Sequence, residues 1–254
     1  MKSRERRLLV NTAVLLFWVI LWATAAKLVD REILLPSPLQ VLQRLFVLMR
    51  TREYWTMITS SMLRVLAGIV GATVLGVFLA LLTESCAPVK ALVSPVMTLV
   101  KSTPVASFII LALVWIGRSI LPAFISGLIV LPVVWANVSA GIAGRDPLLL
   151  EMARVYSLPR QTVLRRITLP SVLPHFRAAL CSALGLGWKA GIAAEVLTVP
   201  RSSIGRMIYE SKLYLETCSL FAWTLTVILL SLVIERLLLR VVQKIGREGG
   251  GSSA

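Results

Sequence analysis

Six apolar runs, near residues 8–28, 62–82, 91–116, 120–142, 176–198 and 218–239, decide which folds are open to this chain. Each has about the 20 residues that a helix needs to cross the hydrocarbon core of a bilayer. No water reaches the backbone there, so a spanning segment must satisfy its own amides and carbonyls, as an α-helix does. The reading is an all-α, polytopic membrane protein with about six transmembrane helices. Composition agrees. Hydrophobic residues make up 57% of the 254 and charged residues 15%, against about 45–50% and 25% in soluble domains. A soluble chain this apolar would expose patches that monomers avoid.

The third run holds Lys101-Ser-Thr-Pro104. Pro104 removes a helix hydrogen bond and clashes with the preceding turn, so a kink is expected there, turned toward the bundle interior. The first run follows Met1-Lys-Ser-Arg-Glu-Arg-Arg7. It is too long for the apolar part of a signal peptide and lacks a compact small-x-small closure, so a retained helix is expected.

A formal charge of +15 would suggest nucleic acid if it were clustered on a soluble domain. Here the basic residues lie between the apolar runs and the aromatic residues mostly within them, which excludes that class and points to membrane lipid instead. Counting Lys and Arg by side gives the orientation. The side of the N-terminus collects Lys2, Arg4, Arg6, Arg7, Lys90, Arg145, Arg154, Arg160, Arg165, Arg166, Arg177, Arg236, Arg240, Lys244 and Arg247. The other side holds Arg31, Arg44, Arg50, Arg52, Arg118, Arg201, Arg206 and Lys212. Fifteen against eight places both termini in the cytoplasm.

Cys86, Cys181 and Cys218 are far apart and His175 is the single histidine, so no metal site or cofactor is expected. Small residues recur every fourth position at Gly68, Ala72 and Gly76, and again at Ala179, Ala183, Gly187 and Gly191. Such stripes let helix backbones approach closely in lipid. Between the first two spans, Ser37 and Pro38 form a cap-plus-proline helix start. Leu42, Leu45, Phe46 and Met49 then share a face of a helix that lies on the membrane surface or packs on the bundle top.

The connection over 144–175 is the longest on the cytoplasmic side. Asp146-Pro147 starts a helix in which Leu148, Met152, Val155 and Tyr156 share a stripe, with Glu151 and Arg154 on the other side. Ser157-Leu-Pro159 breaks it and opens a second helix, with Val163, Leu164 and Ile167 on an apolar edge and Arg165 and Arg166 on a basic one. Leu169-Pro170 and Pro174 are expected to end that second helix. Periodicity alone leaves two uses open: a docking element, or a loop folded back on its own bundle.

The run Glu151-Met-Ala153, three residues, Ser157, nine residues, Ile167-Thr-Leu169-Pro170 closely resembles the motif of permease subunits of binding-protein-dependent ABC importers. That motif reads E-A-A, three residues, G, nine residues, I-x-L-P. Met152 replaces its second residue and Ser157 its glycine, a residue suited to a helix end that needs φ > 0. Leu35-Pro-Ser-Pro38, Ser102-Thr-Pro104, Trp115-Ile-Gly117, Ala194-Glu195 and Ile204-Gly205 resemble positions in the nitrate/sulfonate/taurine-type branch.

The resemblance implies a type I ABC importer permease fold in the inner membrane. It also implies two ATP-binding ABC subunits, a second permease copy and an extracytoplasmic substrate-binding protein. Glu151, Met152, Ala153, Arg154, Ser157, Ile167, Leu169 and Pro170 would then couple to the ATPase. The chain has no GxxxxGK[ST], so it cannot build a P-loop, and it lacks the parts of an enzyme.

Lys101, Lys189 and Glu195 stand in or near apolar runs, where charges face a cavity or a partner. They are expected either to line a path for a small anionic or polar nutrient or to pair for structure. The rival to the importer reading is a self-contained secondary transporter or channel using these charges. The chain divides into an N-terminal span and external segment (1–56), a permease core (57–242) and a flexible tail (243–254).

Overall fold

A computed structural model describes the backbone of residues 2–249 and the side chains of residues 10, 12–237 and 240. Among them the secondary structure is helical. The elements are α1 (Lys2–Val29), α2 (Pro38–Met49), α3 (Arg52–Ser85), α4 (Ala87–Ser102), α5 (Val105–Ala112), α6 (Leu121–Ala143), α7 (Pro147–Val155), α8 (Arg160–Val163), α9 (Leu169–Thr198), α10 (Ile204–Leu213) and α11 (Thr217–Gly249). Five helical stretches are long and apolar enough to span a membrane, or six when α4 and α5 count as one broken span. The polytopic all-α reading holds.

Two breaks differ from expectation. At Ser102-Thr103-Pro104 the chain turns by 105° between α4 and α5. This is a corner, where a kink was expected. Thr103 is extended, as a residue before proline prefers. At Leu169-Pro170 and Pro174 the opposite happens: the helix does not stop. A π-turn over Leu164–Thr168 joins α8 to α9, with the Leu169 amide donating to the Leu164 carbonyl. The widened turn admits the proline ring without ending the helix, and Pro174 sits inside α9. The fifth span is thus one helical rod from Arg160 to Thr198.

Helix α6 is the axis of the bundle, packed by both α3 and α9, which also touch each other. The small-residue stripes make this possible. An added Cβ on Gly68 would lie 2.0 Å from the Ala123 carbonyl oxygen, and one on Gly191 2.4 Å from Ser126 Oγ. Val65, Val130, Val134 and Trp188 fill the space between these contacts and are almost fully buried. Polar side chains add specific ties: the Tyr54 hydroxyl meets Thr226 Oγ1 at 3.0 Å, and the Trp135 indole donates to Thr83 Oγ1 at 3.1 Å.

Helix α1 is the exception. Ala26 is the one buried residue among its described side chains, and Trp22 stacks on Phe221 with ring centroids 5.8 Å apart. Its side chains over residues 13–21 are exposed. Helix α2 carries a full capping box, Ser37 with Gln40, and packs Val41 and Leu45 into the core. Leu42 and Phe46, expected to share a face with Leu45, point outward instead. The helix is therefore apolar on two sides, one toward the bundle and one away from it. Helix α11 continues to Gly249, so residues 243–249 of the expected flexible tail are helical, and residues 250–254 lie outside the described residues.

The close approach at Gly68 has a direct test. Gly68→Ala should lower thermal stability in detergent by about 1–3 kcal/mol, the usual cost of overpacking. Gly71→Ala, which meets nothing within 4 Å, should leave it unchanged or raise it by up to about 1 kcal/mol. Equal effects would mean that the α3–α6 contact is not tight.

Candidate functional site

The α7–α8 connection is built to be rigid. Asp146 Oδ1 accepts the Leu148 amide at 2.8 Å and Pro147 opens the first turn. At the other end the Leu158 amide donates to the Ala153 carbonyl at 2.9 Å and the Ser157 amide to the Arg154 carbonyl at 3.0 Å. This reciprocal pair is a Schellman ending, which places residue 157 in the left-handed region. Ser157 has φ 49°. The serine thus occupies the conformation that glycine would supply without strain.

The element both folds back and projects. Ala153, Ile167 and Thr168 are buried, and Arg145 ties it to the end of α6 by donating to the Ile142 carbonyl at 2.7 Å and to Thr168 Oγ1 at 3.4 Å. The expected stripe faces away from the bundle. Its exposure runs from 44% at Met152 to 76% at Val155, with Leu148 and Tyr156 between. Glu151, Arg154, Arg165 and Arg166 are exposed, and none joins an ion pair among the described residues. Leu169 and Pro170 are exposed on the first turn of α9. An apolar strip flanked by charges unpaired among the described residues thus lies exposed on a clamped helix.

The three charges expected along a path do not come together. Lys101 is exposed on the last turn of α4, beside the corner, where α5 begins without a side-chain cap. Lys189 is exposed on α9. Glu195 is fully buried, with both oxygens engaged: Oε1 takes Arg64 Nη1 at 2.5 Å, and Oε2 takes Ser61 Oγ at 2.7 Å and the Gly205 amide at 3.2 Å. Ser61 Oγ in turn accepts the Ile204 amide at 2.9 Å. Glu195 therefore ties α3, α9 and α10 together and is not free for a solute, as the structural alternative for this residue required.

Sequence reasoning left Arg64 and Ser61 unassigned. The available signal was an arginine inside a span, which demands a partner. Gly205 completes the knot, because a Cβ there would lie 2.3 Å from the Glu195 Cβ. Beside it, Val199 (φ 47°) and Ser202 (φ 50°) hold the α9–α10 corner in left-handed backbone, a strained state for a β-branched residue.

Three substitutions test these assignments. Ser157→Gly should raise thermal stability by about 1 kcal/mol, the cost of left-handed backbone in a residue with a Cβ. Glu195→Gln should lower it by about 3–5 kcal/mol by leaving Arg64 without a counter-charge. Lys189→Met should leave it unchanged. Unfolding in detergent reads all three, and a Glu195→Gln protein as stable as the parent would remove the knot from the account.

A family model described as binding-protein-dependent transport system inner membrane component matches residues 72–247. The taurine transport system permease protein TauC of Escherichia coli (strain K12) is 24% identical over 95% of this chain and 89% of its own length. The putative aliphatic sulfonates transport permease protein SsuC of Bacillus subtilis (strain 168) is 22% identical over 85% of this chain and 77% of its own. The bicarbonate transport system permease protein CmpB of Synechococcus elongatus is 26% identical over 80% of this chain and 77% of its own. Among solved structures, a bacterial ABC transporter involved in the import of the acidic polysaccharide alginate shares the fold. Its TM-score is 0.63 at 18% identity, covering 96% of this chain and 98% of that one. With the bundle, the motif loop and this match over residues 72–247, the chain belongs to the family of inner membrane components of binding-protein-dependent transport systems.

Proposed function

We propose that this chain is the permease subunit of an ATP-driven importer whose ATPase is a separate protein. Two copies would form the path, two ATPase subunits would dock on the cytoplasmic side, and a binding protein would deliver solute from outside. The observation that carries this reading is the outward stripe Leu148, Met152, Val155 and Tyr156 on a helix clamped at both ends. A soluble surface does not leave such a strip uncovered, and its position on the arginine-rich side fits a cytoplasmic partner. Glu151, Arg154, Arg165 and Arg166 stand beside it to pair with rim charges.

A second copy is supported by α1, whose side chains over residues 13–21 are exposed, and by the exposed face of α9 that carries Ser182, Leu186, Lys189 and Ala193. Small and polar residues on a spanning helix suit a helix partner or a water-filled path better than lipid. The solute is assigned to small organic or inorganic anions. Lys101 adjoins the uncapped start of α5, and Lys189 adds a second exposed cation. Three relatives are named for taurine, aliphatic sulfonates and bicarbonate.

Co-expressed with an ATPase partner, the Leu148→Glu/Val155→Glu variant should insert normally but lose co-purification of the ATPase and solute uptake by at least about tenfold, the effect of burying an unpaired charge in an interface. An ATPase that still co-purifies in full would overturn the docking surface. Lys101→Met and Lys189→Met should weaken anion uptake while ATPase binding stays intact. Orientation has its own probe. Cys86 is exposed at the α3–α4 turn, so in a Cys181→Ser/Cys218→Ser background a membrane-impermeant maleimide should label inverted vesicles and spare whole cells.

A further inference from the structure

A cavity of about 450 Å³ lies between the loop element and the bundle, and none of the assignments above uses it. Its walls come from the last turn of α3 (Leu81, Glu84, Ser85), the end of α6 (Ile142, Arg145) and the α8 arm (Leu158, Arg160, Val163, Leu164, Thr168). Three spans end or begin at this level, so the cavity sits at the boundary between hydrocarbon and headgroups. Its chemistry is divided in the same way. Leu81 and Leu164 are half exposed at its mouth, while Arg145 and Arg160 supply charge.

The charge is not cancelled internally. Glu84, the lining acid, is taken by Lys90 at 2.9 Å. Arg145 uses Nε and Nη1 on the Ile142 carbonyl and Thr168 Oγ1, which leaves Nη2 without a partner among the described residues. The Arg160 side chain has no hydrogen bond or ion pair among them. The surrounding walls thus hold two positive charges next to an apolar cleft.

We propose that this cavity binds the headgroup of one anionic phospholipid, with the phosphate on Arg145 and Arg160 and the acyl chains along Leu81 and Leu164. Basic pockets at the cytoplasmic ends of spans suit phosphate headgroups, and each basic residue near the surface adds appreciably to the attraction. A free phosphate would match the arginines but would leave the apolar mouth unfilled. The inference rests on the importer reading only for the side of the membrane. Because Leu158, Arg160, Val163 and Leu164 belong to the loop element, a lipid seated here would brace the lever against the bundle.

The test is retention of lipid by the full chain, with any partners that co-purify, after exchange into detergent, read by native mass spectrometry. Phosphatidylglycerol should remain at one per chain and phosphatidylcholine should not. Arg160→Gln, at an exposed side chain that makes no hydrogen bond among the described residues, should reduce retention about fivefold, and Arg145→Gln/Arg160→Gln more than tenfold. Arg165→Gln/Arg166→Gln, which removes the same charge from the outer edge of the loop, should change it less than twofold. Equal losses in the two double variants would mean a diffuse surface field and overturn the site. So would retention of phosphatidylcholine, or displacement of the lipid by 10 mM inorganic phosphate. The assay needs neither ATP nor transport, so its failure is separate from a failure of ATPase co-purification.

Discussion

In hydrocarbon, apolar surface gains nothing by meeting other apolar surface, so a membrane bundle stands on how closely its backbones approach. Here that approach is concentrated on α6. Gly68 lies against the Ala123 carbonyl, Gly76 against Val134, Gly187 against Val130 and Ile69, and Gly191 against Ser126 and Val65. Helices α3 and α9 both pack on this one axis and touch each other beside it, and α2, α4, α5, α10 and α11 attach to this trio. The knot of Ser61, Arg64, Glu195 and Gly205 joins α3 to α9 a second time, through charge. In a medium of low polarity a fully engaged ion pair specifies one arrangement, since any other leaves a bare charge.

The spans were legible in the sequence because the bilayer imposes a length on them. The motif loop was legible because capping, a proline start and a 3.6-residue period all agree over Asp146–Tyr156. The small-residue stripes marked the α6 contacts correctly, though they did not say which helix they met. Less legible was anything that depends on a partner distant in the chain. Glu195 and Lys189 look alike as charges in one span, yet Glu195 is closed by residues more than 130 positions away while Lys189 stays exposed. Similarly, a face reading of α2 grouped Leu42 and Phe46 with Leu45, because the second apolar side of that helix is not distinguishable by period.

Proline behaved in two ways, and local sequence does not separate them. Pro104 follows the extended Thr103 and begins a new direction. Pro170 and Pro174 sit in a helix that absorbs them, the first through a π-turn. What decides is the neighbourhood: α9 is clasped by α6 along its length, whereas α4 and α5 touch the bundle lightly and are free to diverge.

The continuity of α8, the π-turn and α9 has a mechanical meaning. Thirty-nine residues from Arg160 to Thr198 make a shaft about 58 Å long at 1.5 Å per residue. One tip carries the loop element, and the other ends in the cramped α9–α10 bend. The π-turn and the two prolines lie near the loop tip, so the stretch beyond Pro174 is the regular part of the shaft. The far end of that stretch is the bend where Val199 and Ser202 already hold the chain in an uncomfortable turn.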